Sequence, residues 1–136
     1  MKSTGYWVST ALIAFETLAG GVMDLAHGRT MLVAGPPVVE IVTHLGYPVY
    51  FLAILGFWKV LGAVALVVPR FPRLKEWAYA GIFFELTGAA ASLAAHGDPA
   101  RELVAPLVLA ALAIASWCLR PPDRTLLAIA PTRIRA

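Results

Sequence analysis

Apolar residues along this chain gather into four long blocks separated by short polar breaks. None of the blocks alternates apolar and polar residues at the two-residue period of a strand. The blocks cover about 6–26, 48–68, 77–95 and 103–119. Each is close to the ~20 residues that an α-helix needs to cross the hydrocarbon core of a bilayer. The pattern predicts an all-α fold, a four-transmembrane-helix bundle forming a single integral membrane domain over 1–136. The start, Met1-Lys2 before an apolar run, looks superficially like a signal peptide. The run is too long, contains Glu16 and lacks a small-residue cleavage site, so it reads as a retained span.

The breaks differ in kind. The second, PRFPRLKE, is short and basic; Pro69 and Pro72 are expected to stop the second span, with Glu76 in the first turn of the third. The third, HGDPARE, reads as a tight turn with a helix starting near Pro99. The first is long. In it Pro36-Pro37 precede VVEIVTHLG, where Pro37 suits a first helical position and Gly46 a C-cap. This predicts a short interfacial helix between the first and second spans, against the alternative of an irregular loop. The tail after Pro121-Pro122 is assigned no domain, and there is no internal repeat.

Composition and charge sharpen this picture. Hydrophobic residues make up 60% of the 136 and charged residues only 14%, where a soluble domain carries about 25%. The net charge of +3 does not point to nucleic acid, because the basic residues sit at block ends and form no basic face. They read as topology signals instead. Lys2, Arg70, Arg73, Lys75, Arg120, Arg124, Arg133 and Arg135 fall on one side, against Arg29 and Arg101 on the other. The bias places both termini in the cytoplasm and the protein in the plasma membrane. His27, His44, His96, Asp24, Glu40, Asp98 and Glu102 then lie at or near the outer side.

The single cysteine, Cys118, makes neither an internal disulfide nor a Cys-x-x-Cys pair and is expected to be inert packing. Trp7, Trp77 and Trp117, near span ends, read as an aromatic belt.

Three charges interrupt the apolar blocks near their middles: Glu16, Lys59 and Glu85. Facing lipid, each would cost about 2.5–3.5 kcal/mol on insertion scales. They are therefore expected to converge inside the bundle, with Lys59 pairing one or both carboxylates. Helical phase agrees. Ser9, Glu16, Gly20, Met23 and His27 share a stripe of the first span with Asp24 at its edge, and Gly81, Glu85, Gly88, Ser92 and His96 share one of the third. A polar pocket opening outward satisfies both stripes. Its candidate ligand-binding residues are Glu16, Asp24, His27, Lys59, Glu85, Ser92, His96 and Trp58, with Tyr50 and Phe84 as further aromatic walls. Glu16 and Glu85 are the candidate acid–base residues. The bland reading is a Glu–Lys–Glu network that only fixes helix register. No metal site is expected, because the histidines form no helical metal motif; none sits where haem ligation would need it. Phosphate-loop and Gly-x-Ser-x-Gly motifs are lacking.

Three segments carry a resemblance: LGYP (Leu45 to Pro48), WKVLG (Trp58 to Gly62) and LKEWAYAG (Leu74 to Gly81) followed by Phe84. In them the chain resembles the DoxX-like family of small four-helix membrane proteins. The wider family includes membrane subunits resembling those of thiosulfate:quinone oxidoreductases, and proteins associated with oxidative-stress and quinone-detoxification systems. The resemblance carries over no agreed catalytic residues. The leading expectation is binding of a small lipophilic molecule, such as a quinone, in the outward pocket. With no cysteine pair, haem ligand or nucleotide motif, no intrinsic cofactor is expected, and a redox role needs that ligand or a partner such as an oxidoreductase protein. A membrane enzyme acting on a hydrophobic substrate and a purely structural subunit or homo-oligomer are the competing classes.

The charge asymmetry makes a direct prediction. A cytoplasm-active reporter fused at the C-terminus and a second one placed within 31–35 should give opposite signals. Activity from both fusions would overturn the arrangement of four spans with both ends inside.

Overall fold

The computed structural model describes residues 2–27 and 36–126. Arg29, Arg133, Arg135 and the 31–35 reporter site lie outside the described residues. Five α-helices follow one another: α1 (Lys2–Leu25), α2 (Val38–His44), α3 (Tyr50–Val67), α4 (Pro72–His96) and α5 (Ala100–Cys118), with a 3₁₀ turn at Pro122–Arg124. There is no strand among the described residues. All but α2 are long and apolar enough to cross a membrane.

The elements begin and end where backbone chemistry dictates. Pro37 is the N-cap of α2, and Gly46, at φ 82°, takes the left-handed turn just past its C-cap Leu45. The predicted short helix is therefore present. Gly97, at φ 90°, closes α4, and its N–H donates to Ala94 O. Pro99 is the N-cap of α5. Two expectations need correction. Pro72 does not stop the preceding helix; it is the first residue of α4, where its missing N–H costs nothing, so the third span starts five residues before the predicted 77. Glu76 accordingly falls in the second turn.

α1 and α4 each pack against both α3 and α5, which makes a closed four-helix ring with α2 across one end beside α1. The ring buries Ile13, Leu52, Leu66, Ile82 and Leu86 alongside many smaller residues. Its interior holds small and hydroxyl residues, among them Ala14, Ala65, Ala78, Ala110, Ala113, Thr10, Thr17 and Ser116. Phe15, Phe57, Val108 and others of the large apolar side chains face outward. Lipid solvates those outer side chains, and small inner residues let backbones approach. The closest approach is between α1 and α3. A Cβ on Gly56 would lie 2.7 Å from Gly21 O and 2.8 Å from Leu25 N.

At the end holding both termini, buried polar groups tie the ring together. Thr10 and Tyr79 hydroxyls each lie 2.7 Å from Ser116 Oγ, joining α1, α4 and α5. The Lys75 ammonium donates to the carbonyls of Ala65, Leu66 and Val68, capping the C-terminus of α3 at 2.5–2.9 Å. Arg120 and the Trp117 indole N–H both donate to Glu76, and Arg124 lies 4.6 Å over the Trp7 ring. Three residues read in sequence as topology signals thus also have structural partners. Cys118 is exposed rather than packed.

The Gly21–Gly56 contact generates a paired prediction. Gly56→Ala forces a methyl against backbone and should lose about 1–3 kcal/mol in detergent denaturation. Gly62→Ala, where a Cβ meets nothing within 4 Å, should be neutral or gain up to ~1 kcal/mol from helix propensity. Equal effects at the two sites would mean that α1 and α3 do not meet through these glycines.

Candidate functional site

Lys59 stands a little past the middle of α3. Helical Cα–Cβ bonds tilt toward the helix N-terminus, so its side chain runs back along α3, away from the termini end. Glycines clear its path. A Cβ on Gly21 would lie 2.8 Å from Lys59 Cβ, and one on Gly20 would lie 3.5 Å from Nζ. The ammonium ends between Asp24 Oδ2 and Glu85 Oε1, 2.9 Å from each. Asp24 comes from the last turn of α1 and Glu85 from the middle of α4, so one lysine bridges two helices that face each other across the ring.

The cluster is strongly desolvated at one side. The Asp24 side chain is 0% exposed, against 15% for Lys59 and 24% for Glu85. Its Oδ2 pairs with Nζ at 2.9 Å, whereas Oδ1 has no hydrogen-bond donor among the described residues. Thr17 Oγ1, on the same helix, is also buried without a partner among the described residues. Glu16 is half-buried beside the same glycine gap, its Oε1 3.8 Å from where a Gly20 Cβ would stand, yet it makes no ion pair within 4.0 Å. Three carboxylates around one lysine sum to −2 if all ionise. A low-dielectric interior favours neutralising that excess with protons or a ligand's donors.

The sequence expectation is therefore met for Lys59 with Glu85 and amended for the second partner, which is Asp24 and not Glu16. Counting residues from the span start put Glu16 at the lysine's depth, but the length and backward slant of lysine shift its head toward Asp24. The remaining predicted residues scatter. The Ser92 hydroxyl lies 3.0 Å from Tyr47 OH. His27 is exposed in a left-handed turn that closes α1. Trp58 and Tyr50 point outward, 65% and 69% exposed.

His96 joins a group that local spacing does not reveal. His44 Nε2 lies 2.9 Å from Asp98 Oδ1, His96 Nδ1 lies 3.5 Å from Asp98 Oδ2, and the two imidazole centroids are 4.2 Å apart. A separate apolar groove of about 260 Å³ lies between α4 and α5, lined by Tyr79, Phe83, Phe84 and Trp117 among others. It lies toward the termini end, not in the outward half where the sequence places a pocket.

The geometry ranks the carboxylates. Lys59→Met strands the buried Asp24 and should cost about 3–5 kcal/mol. Glu16→Gln removes no ion pair and should cost less than ~1 kcal/mol. Chemical denaturation in detergent reads both, and a Glu16→Gln loss as large as that of Lys59→Met would transfer the lysine's anchor to Glu16.

Among known proteins, residues 8–116 match the family model of the DoxX-like family. Neither a curated protein nor a solved structure matches the chain.

Proposed function

The chain belongs to the DoxX-like family, and from that premise we propose that this membrane protein binds a small lipophilic molecule of the quinone class at the Lys59 cluster. The observation that carries the reading is Asp24 Oδ1, fully buried among membrane-spanning helices with no hydrogen-bond donor among the described residues, while Oδ2 takes the Lys59 ammonium. Buried polar groups ordinarily have partners, and orphaned ones mark a place for a ligand, a water or a proton. A quinone offers matching chemistry: its carbonyl oxygens accept from Lys59, and the hydroxyls of its reduced form donate to Asp24 or Glu85. Entry is from the face of α4, where Glu85 is partly exposed and a Cβ on Gly88 or Gly81 meets nothing within 4 Å. One cysteine provides no redox pair, so the electrons for any turnover come from a partner oxidoreductase. The basic bias of the sequence supports a plasma-membrane protein with both termini cytoplasmic, the ligand then approached from the outer half.

A second reading, acid–base catalysis on a hydrophobic substrate, draws support from Glu16. It is the one carboxylate of the group not engaged by Lys59, and so the one whose proton is free to move.

Titration of detergent-solubilised protein with a short-chain ubiquinone, followed by tryptophan fluorescence, tests the first reading. Binding should be saturable. Gly88→Leu should weaken it at least ~10-fold while leaving the melting temperature unchanged, because the new side chain projects into open space beside Glu85. Unchanged affinity in Gly88→Leu would move the ligand away from this face, to the α4–α5 groove. Absence of saturable binding in the parent chain would leave the cluster as a structural pin.

A further inference from the structure

At the end of the bundle opposite the termini, three side chains from two elements meet. His44 is the last residue of α2 and His96 the last of α4. Asp98 follows Gly97, whose left-handed φ of 90° turns the chain back so that Asp98 N–H donates to Leu93 O at 3.0 Å. The turn holds the Asp98 carboxylate against the His96 ring. The Tyr47–Ser92 contact fastens the exit of α2 to α4 one turn below. Backbone and side-chain contacts thus position all three groups without help from a ligand.

A simple hydrogen-bonded clip accounts for only part of this. His44 with Asp98 Oδ1 at 2.9 Å would complete such a clip. Yet Asp98 Oδ2 is buried with no hydrogen-bond donor among the described residues, and His96 Nδ1 stands 3.5 Å off. Two imidazoles face one another with centroids 4.2 Å apart. The donor atoms of all three side chains lie within 4.8 Å of one another. In a tetrahedral site with metal–ligand bonds of about 2.0–2.1 Å, donors stand roughly 3.3 Å apart. The histidine contacts with the two Asp98 oxygens, 2.9 and 3.5 Å, fall either side of that value, and side-chain rotation of the exposed imidazoles closes the rest.

We propose that His44, His96 and Asp98 bind a divalent transition-metal ion of the zinc type. Two neutral imidazoles and one carboxylate suit zinc-like ions and suit magnesium or calcium poorly, since those prefer all-oxygen shells. Three protein ligands leave a fourth position for water or an exogenous group. The ion ties α2 to the end of α4 and satisfies the orphaned Asp98 oxygen. The site is independent of the Lys59 cluster, because His96 stands 11 residues beyond Glu85, roughly 16 Å along α4.

The test uses the full chain, free of any histidine tag, purified in detergent and stripped with chelator. Zn²⁺ alone is titrated calorimetrically, and Co²⁺ alone is followed by its visible absorption, which reports a low-coordinate site. One ion per chain is expected, with Mg²⁺ giving no signal. His96→Gln and Asp98→Asn should each weaken Zn²⁺ binding at least ~100-fold, at or beyond the upper end of what losing an outer-shell partner costs. His27→Gln, an exposed histidine at the same end, should leave it unchanged. Failure to bind a stoichiometric ion would overturn the site, as would binding indifferent to His96→Gln and Asp98→Asn. Should Asp98→Asn prevent folding, the exposed His96→Gln decides alone.

Discussion

A lysine ammonium inside a membrane-spanning helix has to find anions within the protein, because lipid supplies none. Lys59 does so with Asp24 and Glu85, and much of the fold follows from making that reach possible. Glycines at 20 and 21 of α1 and at 56 of α3 bring two backbones close enough for the lysine stem to lie between them. The ring order sets α3 between α1 and α4, so one cation joins two helices that sit across the ring from each other. Asp24 is sealed away from solvent, and its anionic form depends on that cation.

The two ends of the bundle divide the remaining work. At the termini end, Lys75 on the α3 carbonyls, Arg120 on Glu76 and the Tyr79–Ser116–Thr10 hydroxyls hold the ring closed, with Arg120 Nη1 left without a partner among the described residues. At the opposite end Asp24 Oδ1 in the bundle and Asp98 Oδ2 over it have no hydrogen-bond donor among the described residues. Unmet carboxylate oxygens can accept a cation, a proton or a ligand's donors, which puts the candidate chemistry at this end. The large apolar side chains exposed along the spans make the outer surface a lipid contact.

The spans were legible because length and hydropathy decide them almost alone, and the short helix because Pro37 and Gly46 bracket it. The meeting of Lys59 with Glu85 was legible from cost: a charge in lipid is expensive enough to force pairing. The partnership with Asp24 was not, because residue counting measures the depth of a Cα, whereas a lysine carries its charge about 6 Å from it and slants toward its helix's N-terminus. Lys75, read as a topology signal, also donates to the carbonyls that end α3, a role that sequence spacing does not reveal. The His44–His96–Asp98 group was invisible to spacing, since residues 44 and 96 share no helix and meet only when α2 folds back over the end of α4.

The central claim is that the Lys59–Asp24 pair is the contact on which the membrane-embedded site depends. A double-mutant cycle of Lys59→Met and Asp24→Asn, read by chemical denaturation in detergent, measures it without assuming any ligand. Each single change should be costly and the double change much less so than their sum, giving a coupling on the order of 2–4 kcal/mol. The parallel cycle with Glu16→Gln should couple more weakly. Additive effects for Lys59 and Asp24, with coupling below ~0.5 kcal/mol, would contradict the account.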